Sequence, residues 1–173
     1  MRTLLILDRN DYSEDMPILE KYATRAMIVR DGRVATQQGA AGDYKLLGGG
    51  VEQGEDYRHS LCREVLEESG LIVIPDSIQE IGEILERRRD IFEPQKVFVC
   101  HTLFYVCDAK AQMEAPCMTQ SEITKGYHLV WATPEEIMAG NAAFCDSQPW
   151  IYRDTEFVRR YCTKACEALH TDI

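Results

Sequence analysis

A chain of 173 residues with 45 % hydrophobic and 28 % charged side chains has the composition of one globular domain with a packed core. Its formal net charge of −10 argues against an extended nucleic-acid-binding face, which needs a basic surface. An anionic small molecule remains acceptable if a metal ion or a local basic cluster receives it. No run approaches the roughly 20 apolar residues of a membrane span, and the apolar start Leu4–Leu7, cut off by Asp8, is too short for a signal peptide. The seven cysteines show neither disulfide-framework nor zinc spacing. They read as buried free thiols, and the expected location is the reducing cytoplasm.

In chain order, Arg2–Leu7 is strand-like and Asp8–Asp15 is a polar loop. Arg25–Arg30 and Arg33–Gln38 form a hairpin across the two-residue turn signal Asp31-Gly32. Tyr44–Leu47 is a short strand running into three glycines. After the acidic segment treated below, strand-like pieces between Ile72 and Arg89 flank a Pro75-Asp76 turn. Val97–Cys107 reads as a strand buried on both faces. His128–Ala132 is a further strand. Thr133-Pro134-Glu135-Glu136 then opens a helix with an N-cap threonine, a first-turn proline and a capping-box glutamate. A last helix is expected from near Asp154, its apolar stripe made of Phe157, Tyr161 and Ala165 beside Val158, Cys162 and Leu169. Strands with helices inserted and at the end indicate an α/β sandwich with a mixed sheet between helices. Residues 1–20 are taken as an N-terminal extension and 21–173 as a single domain.

Gly49–Leu71, GGVEQGEDYRHSLCREVLEESGL, is the most informative stretch. Glu64, Glu67 and Glu68 at i, i+3 and i+4 share one side of a helix, where like charges repel by a few tenths of a kcal/mol per pair. Leu61, Cys62, Val65 and Leu66 fill the neighbouring arc, so the helix packs by one edge and presents carboxylates along the next. Glu55 and Asp56 fall in its first turn, and Gly70 sits where a left-handed cap belongs. The triplet alone supports two readings, a site for a hard divalent cation or a solvated acidic face.

The whole segment resembles the signature of the Nudix hydrolases, G-x5-E-x7-R-E-U-x-E-E-x-G-U, with U a bulky aliphatic residue. Gly49, Glu55, Arg63, Glu64, Val65, Glu67, Glu68, Gly70 and Leu71 fill every fixed position at the right spacing. One departure is Leu47, where the family often has proline. The resemblance implies an α/β/α sandwich and Mg²⁺-dependent hydrolysis of a phosphoanhydride in a nucleoside diphosphate linked to another moiety, by a metal-activated water attacking phosphorus; Mn²⁺ would substitute. It implies Glu64, Glu67 and Glu68 as metal ligands, the Gly48 carbonyl as a further one, and Arg63 with Glu55 as an internal ion pair that orients the carboxylates. The partner is a nucleotide or related diphosphate, with no nucleic acid polymer and no membrane. Many relatives are homodimers, which makes residues 1–20 a candidate interface element. The alternative is a catalytically inactive nucleotide-binding domain serving as a sensor or regulator, which the undamaged carboxylate positions disfavour.

Some members use a glutamate of the signature as general base, and others use one on a downstream loop. Glu122, ahead of the strand that ends near Trp131, is the candidate of the second kind, with Glu114 a weaker competitor. Arg25, Tyr44, Arg87 and Arg89 are candidate substrate contacts. Arg87, Arg88 and Arg89 form the one dense basic run, of which at most two side chains can share a strand face. His101, inside the long apolar strand, reads as a satisfied core histidine. Which pyrophosphate is cut does not follow from these motifs.

Overall fold

The computed structural model describes residues 2–163. Ten strands and four α-helices are laid out as β1 (Thr3–Asp8), β2 (Ile18–Met27), β3 (Val29–Arg30), β4 (Arg33–Gln38), β5 (Tyr44–Leu46), α1 (Tyr57–Ser69), β6 (Leu71–Val73), β7 (Gln79–Arg89), β8 (Val97–Val106), β9 (Ala109–Met113), α2 (Gln120–Thr124), β10 (His128–Ala132), α3 (Pro134–Asn141) and α4 (Pro149–Phe157). The larger sheet has the order β1-β7-β8-β2 and is mixed: β1 runs parallel to β7, β7 antiparallel to β8, and β8 parallel to β2. A smaller antiparallel sheet has the order β10-β4-β3, with β5 also on β4, and β6 pairs with β9.

The expected hairpin is present, with both turn residues at positive φ, Asp31 at 50° and Gly32 at 70°, the geometry that matches strand twist. Thr3–Asp8, assigned from the sequence to an extension, forms the edge strand beside β7. Two apolar layers lie on opposite sides of the sheets. Leu61 and Val65 of α1 pack with Ala26, Ile28, Leu103 and Tyr105. Ile137, Phe157 and Val158 from the C-terminal helices pack with Met27, Ile84 and Phe104. Alternation along β2 sends Ala26 to one layer and Met27 to the other, which places the sheet between helices as a sandwich requires.

Three expectations change in detail. The last helix begins at Pro149, five residues before Asp154, because a proline at N1 is already fixed at helical φ and needs no amide partner. It runs into a π-helical turn, Val158–Cys162; Ala165 and Leu169 of the expected stripe lie outside the described residues. Glu55 and Asp56 precede α1 rather than forming its first turn, Asp56 being the N-cap whose carboxylate accepts from the amides of Arg58 and His59. Cys117 is exposed, whereas Cys100 and Cys107 are buried as expected. No helix among the described residues is long and apolar enough to cross a membrane.

Candidate functional site

The segment Leu47–Val51 runs along the edge of β2, with Ala26 N–H donating to Leu47 O (2.8 Å), Thr24 N–H to Gly49 O (2.9 Å) and Val51 N–H to Tyr22 O (3.0 Å). This close approach explains the glycines. A Cβ on Gly48, at φ 130°, would lie 2.2 Å from the Thr24 carbonyl oxygen, and one on Gly49 would lie 2.2 Å from Glu64 Oε2. The loop is therefore pressed between β2 and the carboxylates of α1. Gly70 closes α1 as a left-handed cap at φ 75°.

Arg63 organises the near half of the cluster. Its guanidinium donates to both Glu55 oxygens (2.8 and 2.9 Å), to Glu64 Oε1 (2.8 Å), to Glu67 Oε2 (3.3 Å) and to the Gly50 carbonyl (3.1 Å). Hydrogen bonds from Arg63 hold the Glu55 carboxyl down to about 2. Burial raises Glu64 above the ordinary carboxylate range, with Arg63 opposing.

Glu68 forms the far half. It is buried and accepts from Gly48 N–H at 2.7 Å. Burial pushes its carboxyl up to about 7, against the pull of Lys45, Arg25 and the Gly48 amide. Lys45 Nζ stands 3.6 Å from Glu68 Oε1 and 3.7 Å from Glu122 Oε1, over the Tyr127 ring at 4.5 Å from its centroid. Glu122 lies in α2, where it completes a capping box: its Oε2 accepts from Thr119 N–H (2.9 Å) and from the Thr119 hydroxyl (2.8 Å). Burial works to raise the Glu122 carboxyl, but the Thr119 donors and Lys45 bring it below the ordinary value overall, so it is a carboxylate at neutral pH.

A cavity of about 300 Å³ opens beside this half, lined by Arg25, Lys45, Lys125, Glu122, Tyr127 and Trp150 together with the Thr119 and Ser121 hydroxyls. Arg25 is buried, donates to Thr24 O at 2.9 Å and faces Asp154 Oδ2 at 3.5 Å, while its Nε has no hydrogen-bond partner. Behind it a buried charge chain continues from Asp154 to Arg153 (2.8 Å), from Arg153 to Glu86 (3.9 Å) and from Glu86 to Arg88 (2.6 Å). The strand carrying Lys45 is anchored from two helices: Asn141 accepts from Tyr44 N–H (2.7 Å) and donates to Tyr44 O (3.1 Å), and Asp154 accepts from Leu46 N–H (3.2 Å).

The structure thus brings together Gly48, Glu55, Arg63, Glu64, Glu67, Glu68, Glu122 and Arg25. It separates three expected substrate contacts from them. Tyr44 packs on the opposite layer with its ring against Gly140, because its neighbour Lys45 takes the inward side of β5. Arg87 lies over the Tyr12 ring, and Arg89 is tied to Asp11 and to the Pro94 carbonyl, so both serve the N-terminal loop. Glu114 has an exposed side chain and meets Gly70 only through its backbone. His101 is satisfied, by Glu83 (3.1 Å) and Glu20 (3.3 Å), but is half-buried and stacks on Tyr22 outside the two core layers. Sequence reasoning missed Lys45, Lys125, Tyr127 and Trp150; strand alternation at Tyr44–Leu46 puts Lys45 opposite Tyr44 but does not say which of the two faces the cavity.

Among the described residues, no three acidic, histidine or cysteine side chains converge as a finished metal cage. Arg63 and Lys45 engage the carboxylates instead. The donor set itself, four carboxylates and the carbonyls of a glycine loop, is the hard oxygen chemistry that suits Mg²⁺ or Mn²⁺.

One solved structure shares the fold. The Nudix hydrolase from Nitrosomonas europaea superimposes with a TM-score of 0.56 at 17 % identity, covering 80 % of this chain and 87 % of that one. The MutT Nudix hydrolase from Burkholderia pseudomallei gives 0.49 at 22 % identity, with 68 % and 85 % covered. The ORF135 protein from E. coli gives 0.46 at 24 % identity, with 70 % and 79 % covered. No curated protein sequence matches. The NUDIX domain family model matches residues 20–151, a span holding the glycine loop, the carboxylates of α1, Glu122 and the cavity lined by Lys45 and Trp150. With its signature complete at every fixed position and well over half its length matched, this chain belongs to the Nudix hydrolase family, and it is a pyrophosphohydrolase.

Proposed function

We propose that this enzyme hydrolyses a phosphoanhydride bond in a nucleoside diphosphate linked to a further moiety, in a Mg²⁺-dependent reaction. The observation that carries the reading is the junction of two features: a carboxylate cluster on a glycine loop, and a cavity lined by Arg25, Lys45 and Lys125 with Tyr127 and Trp150. Glu64, Glu67, Glu68 and the Gly48 carbonyl are the proposed metal donors. Bound there, Mg²⁺ supplies charge neutralisation on the scissile phosphates and activation of water.

The chain's own groups do the rest. Arg63 fixes Glu64 and Glu67 against Glu55 and the Gly50 carbonyl. Glu122 Oε2 is held by Thr119, so Oε1, which also faces Lys45 Nζ at 3.7 Å, is the atom to accept the proton of the attacking water. Arg25 and Lys125, both in the cavity lining, receive phosphate oxygens. Trp150 at the cavity wall offers a ring for stacking on a base. An acidic protein accepts a polyanion in this way because cation and metal are concentrated at one place.

The test is turnover of a panel by purified protein with Mg²⁺: canonical and oxidised nucleoside triphosphates, ADP-ribose, dinucleoside polyphosphates and nucleotide sugars. Released monophosphate or phosphate is followed, with Glu67→Gln as the control. Turnover of at least one compound, lost in the control, is expected. A panel that stays intact, or a fully active control, overturns the reading.

A further inference from the structure

Four carboxylates border the glycine loop, and two cations divide them. Arg63 takes Glu64 and Glu67 at 2.8 and 3.3 Å. Lys45 takes Glu68 and Glu122 at 3.6 and 3.7 Å. The first set lies on one helix, but the second is assembled from β5, α1 and α2, so only the folded chain brings an ammonium between those two carboxylates.

The second set is shaped for that ammonium. Glu68 gives Oε2 to the Gly48 amide and turns Oε1 to Lys45. Glu122 gives Oε2 to the Thr119 amide and hydroxyl and likewise turns Oε1 to Lys45. Each carboxylate thus has one oxygen pinned by a backbone N–H and the other aimed at the same nitrogen. Lys45 is itself confined: its side chain is only 15 % exposed, the Tyr127 ring lies beneath Nζ, and β5 is anchored by Asn141 and Asp154. An ammonium in this place and a divalent ion bridging Glu68 and Glu122 would compete for the same lone pairs and repel one another.

We propose that Lys45 is the resident cation of the Glu68–Glu122 position, a positioning residue that confines divalent metal in the free enzyme to the Glu64–Glu67 side of the loop, so that Glu68 joins the metal donors only when substrate phosphate draws the ammonium away. This rests on the metal-dependent reading above. Lys45 places a fixed positive charge at the cavity mouth, where a phosphate would otherwise need a further divalent ion to meet it. The enzyme then engages fewer divalent ions before substrate arrives than its carboxylates could hold.

The experiment is a Mn²⁺ titration of the full chain without nucleotide, with free Mn²⁺ read by electron paramagnetic resonance. Lys45→Met is expected to gain one Mn²⁺ equivalent per chain over wild type. Adding Glu122→Gln to Lys45→Met should remove that equivalent, while Glu122→Gln alone leaves the wild-type stoichiometry unchanged. Lys45→Arg, which keeps a cation, should bind as wild type does and guards against a folding effect of the methionine. Equal stoichiometry and affinity in wild type and Lys45→Met overturns the role of Lys45 alone, as does loss of an equivalent from Glu122→Gln by itself. Absence of Mn²⁺ binding in both wild type and Lys45→Met overturns the metal reading and this proposal with it.

Discussion

Replacing Arg63 by Met tests whether this side chain organises the site or merely borders it. The substitution keeps an apolar stem and removes donors to Glu55, Glu64, Glu67 and the Gly50 carbonyl. Taking one partner from a buried ion pair costs ~3–5 kcal/mol, since the charge left behind stays desolvated. The Arg63 side chain is 22 % exposed, so solvent recovers part of that loss; we expect about 2–3 kcal/mol. For a chain of this size each kcal/mol shifts the melting temperature by ~2–4 °C, which gives a fall of roughly 4–12 °C at neutral pH. The pH dependence has a definite sign. Glu55 is held at about 2 in the folded chain, below its unfolded value near ~4.3, so its contribution is complete above that value and is lost as pH falls through about 2. Arg63→Met lacks that contribution, and the gap between the two melting curves should therefore narrow as pH drops from about 5 to about 2. Thermal unfolding followed by circular dichroism across that range measures both effects. A variant melting within about 1 °C of wild type at neutral pH, or a gap that widens on acidification, refutes the reasoning.

Other substitutions probe separate links. In Gly49→Ala the new Cβ would stand 2.2 Å from Glu64 Oε2 and 2.4 Å from its Cδ, so the carboxylate must move; Mn²⁺ affinity in a nucleotide-free titration should fall at least ~10-fold while the fold persists. Arg153→Met removes one cation from buried Asp154 and Glu86, which keep Arg25 with the Leu46 amide and Arg88 respectively, and should cost ~1.5–3 kcal/mol in urea unfolding; a loss under ~0.5 kcal/mol means the network is not paired as described. Trp150→Ala removes one aromatic wall of the cavity, and with ~1–3 kcal/mol for stacking on a base KM should rise roughly 5- to 150-fold with little change in kcat; an unchanged KM removes Trp150 from the substrate site.

Legibility followed the range over which each signal acts. Features set by neighbouring residues were readable: the Asp31-Gly32 turn, the Thr133–Glu136 capping box and the left-handed cap at Gly70 all depend on a few consecutive side chains. Thr119 and Glu122 carry the same Thr-x-x-Glu spacing as Thr133 and Glu136, yet α2 is only five residues long and has no apolar period to announce it. Features set by distant partners were not readable. Arg87 and Arg89 form a basic run that suits phosphate until the fold shows them held by Tyr12 and Asp11. Tyr44 and Lys45 are adjacent on one strand, and which of them faces the cavity depends on the side from which α1 and α2 approach.

The same division explains how a chain of net charge −10 can receive a polyanion. Glu64, Glu67, Glu68 and Glu122 would repel phosphate if left unpaired, but each stands within 4 Å of a guanidinium or ammonium nitrogen. Arg25 adds a further positive charge whose partner Asp154 is already shared with Arg153. The local field at the cavity is therefore set by Lys45, Arg25 and Lys125, and the overall charge of the chain says little about it. Arg63 belongs to the family signature and was visible as such. Lys45 lies outside the signature, and as the resident cation proposed above it would limit how many divalent ions the free enzyme takes up before substrate arrives.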